Sequence, residues 1–173
     1  MNIGQTALTG LLFAACAANA EEIKFDNRFL PDEGERNIRG WVFNAVEGYK
    51  PFGDVTAAMW KGRAGVRLAS KGKDTTVYLK EPIPVKPGDR LTLTACVRGT
   101  GRGRLGVFQY GPNWKWMGLQ GEETDTPGSA AGEPGKIVRR LLIPEGVVAV
   151  RPSLTAYNGA DIAFFDLTIE REK

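Results

Sequence analysis

Histidine is absent from all 173 positions of this chain. Its absence excludes Ser-His-Asp and Cys-His relays and every His-ligated zinc centre. Any catalysis would rest on carboxylates, Lys, Tyr or a metal bound by oxygen. Cysteine is nearly absent too: Cys16 and Cys96 are the only two, too few for a disulfide framework. No base stands near Cys96 in the sequence, so it reads as an inert thiol rather than a nucleophile. No strong charge of one sign is present: 23 basic and 20 acidic residues are mixed along the chain, for a net charge of +3. A nucleic-acid binder concentrates its basic residues. Arg102 and Arg104, on either side of Gly103, read as a solvated turn tip, and no nucleic-acid partner is expected. No apolar run is long enough to span a membrane, and no heptad, internal repeat or amphipathic helix of normal length occurs.

Glycine and proline, by contrast, are plentiful, at 22 and 10. They fall between short apolar runs, the pattern of many short strands joined by turns. The length suits one domain with a real core. The clearest stretch runs from Glu81 to Tyr110. Pro87-Gly88-Asp89 sets a turn, since Pro fixes φ and Gly frees the chain where it reverses. Leu91, Leu93, Ala95 and Val97 then share one face, with Thr92, Thr94, Cys96 and Arg98 on the other. A glycine-rich turn and a second strand follow. Further strands are expected over residues 23–25, 41–44, 55–61, 64–70, 75–80, 136–143, 147–157 and 160–170. Residues 121–135 contain no large apolar side chain and read as a mobile surface loop. Turn signals at such short intervals predict an all-β chain, an antiparallel two-sheet sandwich.

Residues 1–20 read as a secretory signal peptide, leaving residues 21–173 as a single β-sandwich domain. The stretch from Ala7 to Ala18 is mostly apolar, too short to span a bilayer, and ends in the small-residue pattern Ala18-Asn19-Ala20. No Lys or Arg precedes it. A second reading is a bacterial lipoprotein box at Phe13-Ala14-Ala15-Cys16, with a lipid anchor on Cys16. Both readings place the protein outside the cytoplasm: secreted, periplasmic or in the cell envelope. Cleavage after Ala20 would remove Cys16 and leave Cys96 alone.

The order of several short motifs resembles the carbohydrate-binding modules of the family 4 and family 9 type, with a galactose-binding-domain-like fold. Asp26-Asn27-Arg28-Phe29 looks like the family's opening segment, and Trp41 with Phe43 like its next aromatic pair. Gly65-Val66-Arg67-Leu68 resembles its Gly-to-Leu strand, and Val85 to Gly101 its Pro-Gly turn and long strand. Pro144-Glu145-Gly146 and Phe164-Phe165-Asp166-Leu167 match its late turn and closing strand. The resemblance implies jelly-roll topology and non-catalytic binding of a polysaccharide or oligosaccharide. It also implies a structural calcium. However, Leu30 and Leu167 stand where the family has acidic residues, so no cofactor is expected and Asp166 is the one candidate metal ligand.

Sugar rings present apolar C–H faces and polar edges, so a glycan site needs aromatic platforms beside hydrogen-bonding side chains. Gln109 to Trp116 has that composition. In an extended segment Trp114 and Trp116 would face the same way, with Tyr110 close by; the alternative is that the tryptophans close the end of the core. On the 147–157 strand, Val148, Val150, Leu154 and Ala156 would face inward, with Arg151, Ser153, Thr155 and Tyr157 outward. Thr94 and Arg98 would share that exposed sheet. The candidate ligand-binding set is therefore Tyr110, Trp114, Trp116, Arg98, Arg151 and Tyr157, suited to a polar or acidic glycan, against an ordinary solvated sheet face. Tyr49, Phe52 and Trp60 form a further candidate group. Glu122, Glu123 and Asp125 show no fixed catalytic pair of the kind a glycosidase needs. The expected function is glycan binding without catalysis. The rivals are a structural or interaction sandwich of the envelope and a small polysaccharide-active enzyme.

Overall fold

The computed structural model describes residues 20–31, 38–43, 53–125 and 133–172. These form thirteen strands in chain order. They are β1 (Ala20–Glu22), β2 (Trp41–Phe43), β3 (Gly53–Trp60), β4 (Arg63–Ser70), β5 (Thr75–Leu79), β6 (Ile83–Pro84) and β7 (Arg90–Thr100). Then come β8 (Arg102–Tyr110), β9 (Trp116–Gln120), β10 (Glu123–Asp125), β11 (Gly135–Leu142), β12 (Ala149–Ala156) and β13 (Asp161–Glu172). One sheet runs β11-β7-β13-β4-β3, with β1 also on β13; the other runs β10-β8-β12-β5-β2, with β6 on β12 and β9 on β8. All pairings are antiparallel. The all-β, two-sheet expectation holds.

The core lies between the sheets and follows the alternation. Leu91, Leu93, Ala95 and Val97 of β7 are buried, as are Val66 and Leu68 of β4. The second sheet answers with Leu105, Val107, Val150, Leu154 and Val77. Trp41 of β2 closes the core rather than the surface. Its indole N–H donates to the Asp26 carbonyl at 3.2 Å, and its ring centroid is 5.1 Å from that of Phe29.

Three long strands each carry two short partners end to end along one edge. β13 pairs with β4 and then β1, β12 with β5 and then β6, and β8 with β10 and then β9. Each gap between partners holds a residue that suits it. Pro152, which brings no N–H to a ladder, stands between the β5 and β6 pairings of β12. Asp166 (φ 51°) sits in a bulge of β13 between Phe165 and Thr168. Because of that bulge Phe164 and Leu167 both face the core, while Phe165 turns to the outer side against Trp60, at 6.4 Å. At the third gap Gly121 (φ 147°) passes Gly106 so closely that a Cβ on Gly106 would lie 2.4 Å from the Gln120 carbonyl oxygen.

Three expectations need correction here. The strand expected over residues 23–25 lies three residues earlier, as β1, where the backbone of Ala20–Glu22 pairs with the end of β13. The 121–135 stretch contains β10, because the free edge of β8 offers a ladder that needs no apolar side chain; its residues 126–132 lie outside the described ones. Val148 is exposed, because β12 begins only at Ala149. Residues 1–19 of the predicted leader lie outside the described residues, as do Tyr49 and Phe52. Among the described residues no helix is long and apolar enough to cross a membrane.

Candidate functional site

The outer face of the second sheet gathers most of the aromatic and arginine side chains of interest. With Leu105 and Val107 turned inward, alternation sends Arg104, Phe108 and Tyr110 of β8 outward. Register then sets their neighbours. Arg151 of β12 stands opposite Phe108, Thr155 opposite Arg104, and Tyr78 of β5 opposite Ser153. On the far side of β8, Trp116 pairs with Tyr110 and Glu123 with Arg104.

The side chains pack into a layer over the sheet. Tyr78 meets Phe108 edge-on at 5.2 Å, and Tyr110 meets Trp114 edge-on at 5.9 Å. The guanidinium of Arg151 lies 5.3 Å from the Tyr110 ring centroid and 5.7 Å from those of Tyr78 and Trp114. Stacking against three rings fixes the long side chain through cation–π attraction. At the other end Arg104 and Arg102 lie 5.4 Å and 5.9 Å from the Tyr157 ring. Arg102 also donates to Glu123 at 3.1 Å.

Beneath this layer the sheet is dry. Ala149, Ser153, Thr155 and Thr76 point outward yet are buried. The Thr76 and Thr155 hydroxyls share a hydrogen bond of 2.9 Å, and Arg104 Nη2 donates to Thr155 Oγ1 at 3.4 Å. The centre is therefore not an ordinary solvated face. Burial pushes the Tyr110 and Tyr157 phenols above their ordinary range, with Arg151 and Arg104 pulling the other way. Ser153 Oγ and the Nε atoms of Arg104 and Arg151 are buried and have no hydrogen-bond partner in the protein.

Trp114 and Trp116 flank Lys115 at one end of the layer. Pro112–Trp114 forms a short 3-10 turn in which Asn113 and Trp114 are left-handed, at φ 55° and 61°. Gly111 N–H donates to the Lys115 carbonyl at 2.8 Å and closes it. The segment is thus not extended, as the two-residue spacing suggests, and the rings do not share a direction by strand alternation. Both stay largely in water, 59% and 65% exposed, so neither closes the core.

Five of the six candidate residues, Tyr110, Trp114, Trp116, Arg151 and Tyr157, lie in or beside this layer. Arg98 does not. With Thr94 it lies on β7 of the first sheet, across the sandwich, because β7 pairs with β11 and β13 and not with β8 or β12. Sequence reasoning missed Tyr78 and Phe108, and its solvated turn tip is wrong for Arg104, which lies half-buried within β8 because the strand begins at Arg102. Their outward parity is readable in β5 and β8, but their meeting depends on strand pairing. Trp60 lies on the first sheet's outer side with Phe165. A cleft of about 320 Å³ is lined by Ile23, Phe25, Leu79, Pro82 and Ile83 among others. Its one aromatic ring, Phe25, is half-buried, whereas the layer has two exposed tryptophans, so the layer is the better candidate.

Asp166, the candidate metal ligand, is paired with an arginine: its carboxylate accepts from Arg63 Nη1 at 3.0 Å. Among the described residues no group of three His, Cys, Asp or Glu side chains is positioned to hold an ion.

No protein-family model matches the chain, and no curated protein matches it by sequence. Solved structures do match. The carbohydrate-binding and catalytic modules (CBM22-1 and GH10) of Clostridium thermocellum endo-1,4-beta-D-xylanase 10B, complexed with xylohexaose, align at a TM-score of 0.61 and 19% identity. That match covers 88% of this chain but only 28% of the other. A family 4 carbohydrate-binding module aligns at 0.52 with 14% identity, over 86% of this chain and 96% of its own. A family 16 module aligns at 0.50 with 17% identity, over 83% and 99%. At such identities the likeness is one of fold: the chain is a two-sheet antiparallel sandwich matching the jelly-roll structures of carbohydrate-binding modules.

Proposed function

We propose that the protein is a secreted glycan-binding domain without catalytic activity, and that the aromatic–arginine layer of the second sheet is its binding face. The observation that carries this reading is the pair of exposed tryptophans beside a packed, partly unpartnered polar layer. Large rings left in water next to fixed donors suit a ligand with apolar faces and polar edges. The layer supplies stacking surfaces and hydrogen-bond donors, which suffices for binding. The fold neighbours add support: two are carbohydrate-binding modules matched over nearly their whole length, and the xylanase modules were complexed with xylohexaose. Secretion rests on the leader-like residues 1–20, with lipid anchoring through Cys16 as the alternative route to the envelope.

The test is intrinsic tryptophan fluorescence of the protein titrated with soluble polysaccharides, repeated with Trp114→Ala and Trp116→Ala. A saturable change that either substitution abolishes, with the fold intact by circular dichroism, establishes the site. No response to any neutral or acidic polymer turns the reading to a structural or protein-interaction sandwich.

A further inference from the structure

Three cations of the first sheet have carboxylate partners, although Arg98 on the same face has none among the described residues. On the first sheet, Arg63 and Arg67 are held by Asp166 and Asp161, and Lys71 by Asp54. On the second sheet, Glu123 is taken by Arg102. Arg104 and Arg151, both half-buried, have no carboxylate within salt-bridge distance among the described residues. Their partners are ring faces, one threonine hydroxyl and, for Arg151, the Tyr110 hydroxyl. Ring faces attract a cation but do not accept the in-plane N–H groups of the guanidinium fork, and the Nε–H of each arginine has no acceptor. Fully buried Ser153 Oγ lies on the strand that carries Arg151, two positions along, and is likewise unpartnered. Register puts Arg104 opposite Thr155, four residues from Arg151, so the two cations are offset by roughly 13 Å along the strands.

We infer that the ligand of this face is an anionic glycan, whose acidic groups are received by Arg104 and Arg151 while Trp114 and Trp116 stack its rings. A guanidinium fork fits the two oxygens of a carboxylate or a sulfate ester in the same way. Held already by the rings, each arginine gives up little rotamer freedom on binding. Two cations spaced along the strands favour a polymer with repeated charge over a single acidic sugar. This inference rests on the glycan-binding reading above.

The test measures affinity for polygalacturonate, for dextran sulfate and for neutral arabinoxylan, at low and high salt. One acidic polymer, at least, should bind more tightly than arabinoxylan, and its binding should weaken as salt screens the charges. The acidic polymer that binds identifies carboxylate or sulfate as the source. Arg104→Gln and Arg151→Gln should each weaken acidic-polymer binding about tenfold or more. Arg98→Gln, which removes the same charge from the opposite face, should leave it unchanged. Arg151→Lys keeps the charge and separates its loss from disturbed packing: it should retain salt-dependent binding. Tighter binding of arabinoxylan, or an equal loss in Arg98→Gln, overturns the anionic assignment while leaving glycan binding in place. Binding of none of the three polymers overturns both.

Discussion

Trp114 and Trp116 forgo burial that is worth roughly 1.5–3 kcal/mol for a large apolar side chain. Trp116→Ala should therefore cost less than about 0.5 kcal/mol in urea unfolding, as surface substitutions do. The same change should weaken glycan binding at least about tenfold, as loss of a central aromatic anchor does. A stability loss above about 2 kcal/mol with binding intact would make it a structural residue. The buried threonine pair behaves in the opposite way. Thr155→Val leaves the Thr76 hydroxyl and Arg104 Nη2 short of a partner, at a cost of about 1–3 kcal/mol. Adding Thr76→Val should recover part of that cost, because the orphaned hydroxyl is then gone too. A double-mutant cycle by urea denaturation reads the difference. Residue identities alone made the aromatic cluster around Tyr110 and Trp116 legible, since rings next to a Gly-Pro turn are seldom all core. The left-handed turn at Asn113 and Trp114 was not legible, because neither residue type demands a positive φ.

At the scale of the element, the gaps along β8, β12 and β13 carry the special residues. Gly106→Ala should destabilise by about 1–3 kcal/mol, because the methyl meets a backbone carbonyl that β9 holds in place. Asp166 offers a finer test. Asp166→Gly loses an exposed ion pair worth at most about 1 kcal/mol but relieves a positive φ. It should leave the thermal midpoint nearly unchanged, whereas Asp166→Val, β-branched in the left-handed region, should lower it clearly. A midpoint raised by millimolar calcium, and lowered again by chelation, would give Asp166 a metal role despite the Arg63 contact. Period-two alternation located β4, β5, β7, β8, β12 and most of β13 in the sequence, since each buries one face. It failed for β1, β6, β9 and β10, short strands held by backbone pairing to β13, β12 and β8, too short or too polar to show an apolar period. It also misplaced Arg98: alternation gives the face of a strand but not the sheet to which the strand belongs.

For the whole molecule, the missing histidine shapes the pH response. Burial holds the Tyr110 and Tyr157 phenols and the Cys96 thiol protonated beyond their ordinary values of 10.0 and 9.0. The unfolded chain gives up those protons first, so stability falls as pH rises through the unfolded values. Asp26 lies below its ordinary 3.8, first through its hydrogen bonds from the Arg28 side chain. Its contribution is present above that value and is lost as pH falls through the folded one. Between these limits no side chain has an ordinary titration. The thermal midpoint should be level from about pH 5 to about pH 8.5 and decline on either side. A step near pH 6.5 would contradict this assignment of groups.

β1 and the end of β13 lie side by side, Ala20 opposite Glu172, in the first sheet. The aromatic–arginine layer is on the outer side of the second. A linker, lipid or fused partner joined near either end would therefore meet the molecule at one corner of its back sheet. Whichever end were used, the attachment would leave from the sheet opposite the aromatic–arginine layer, at the same end of the sandwich as the tryptophans.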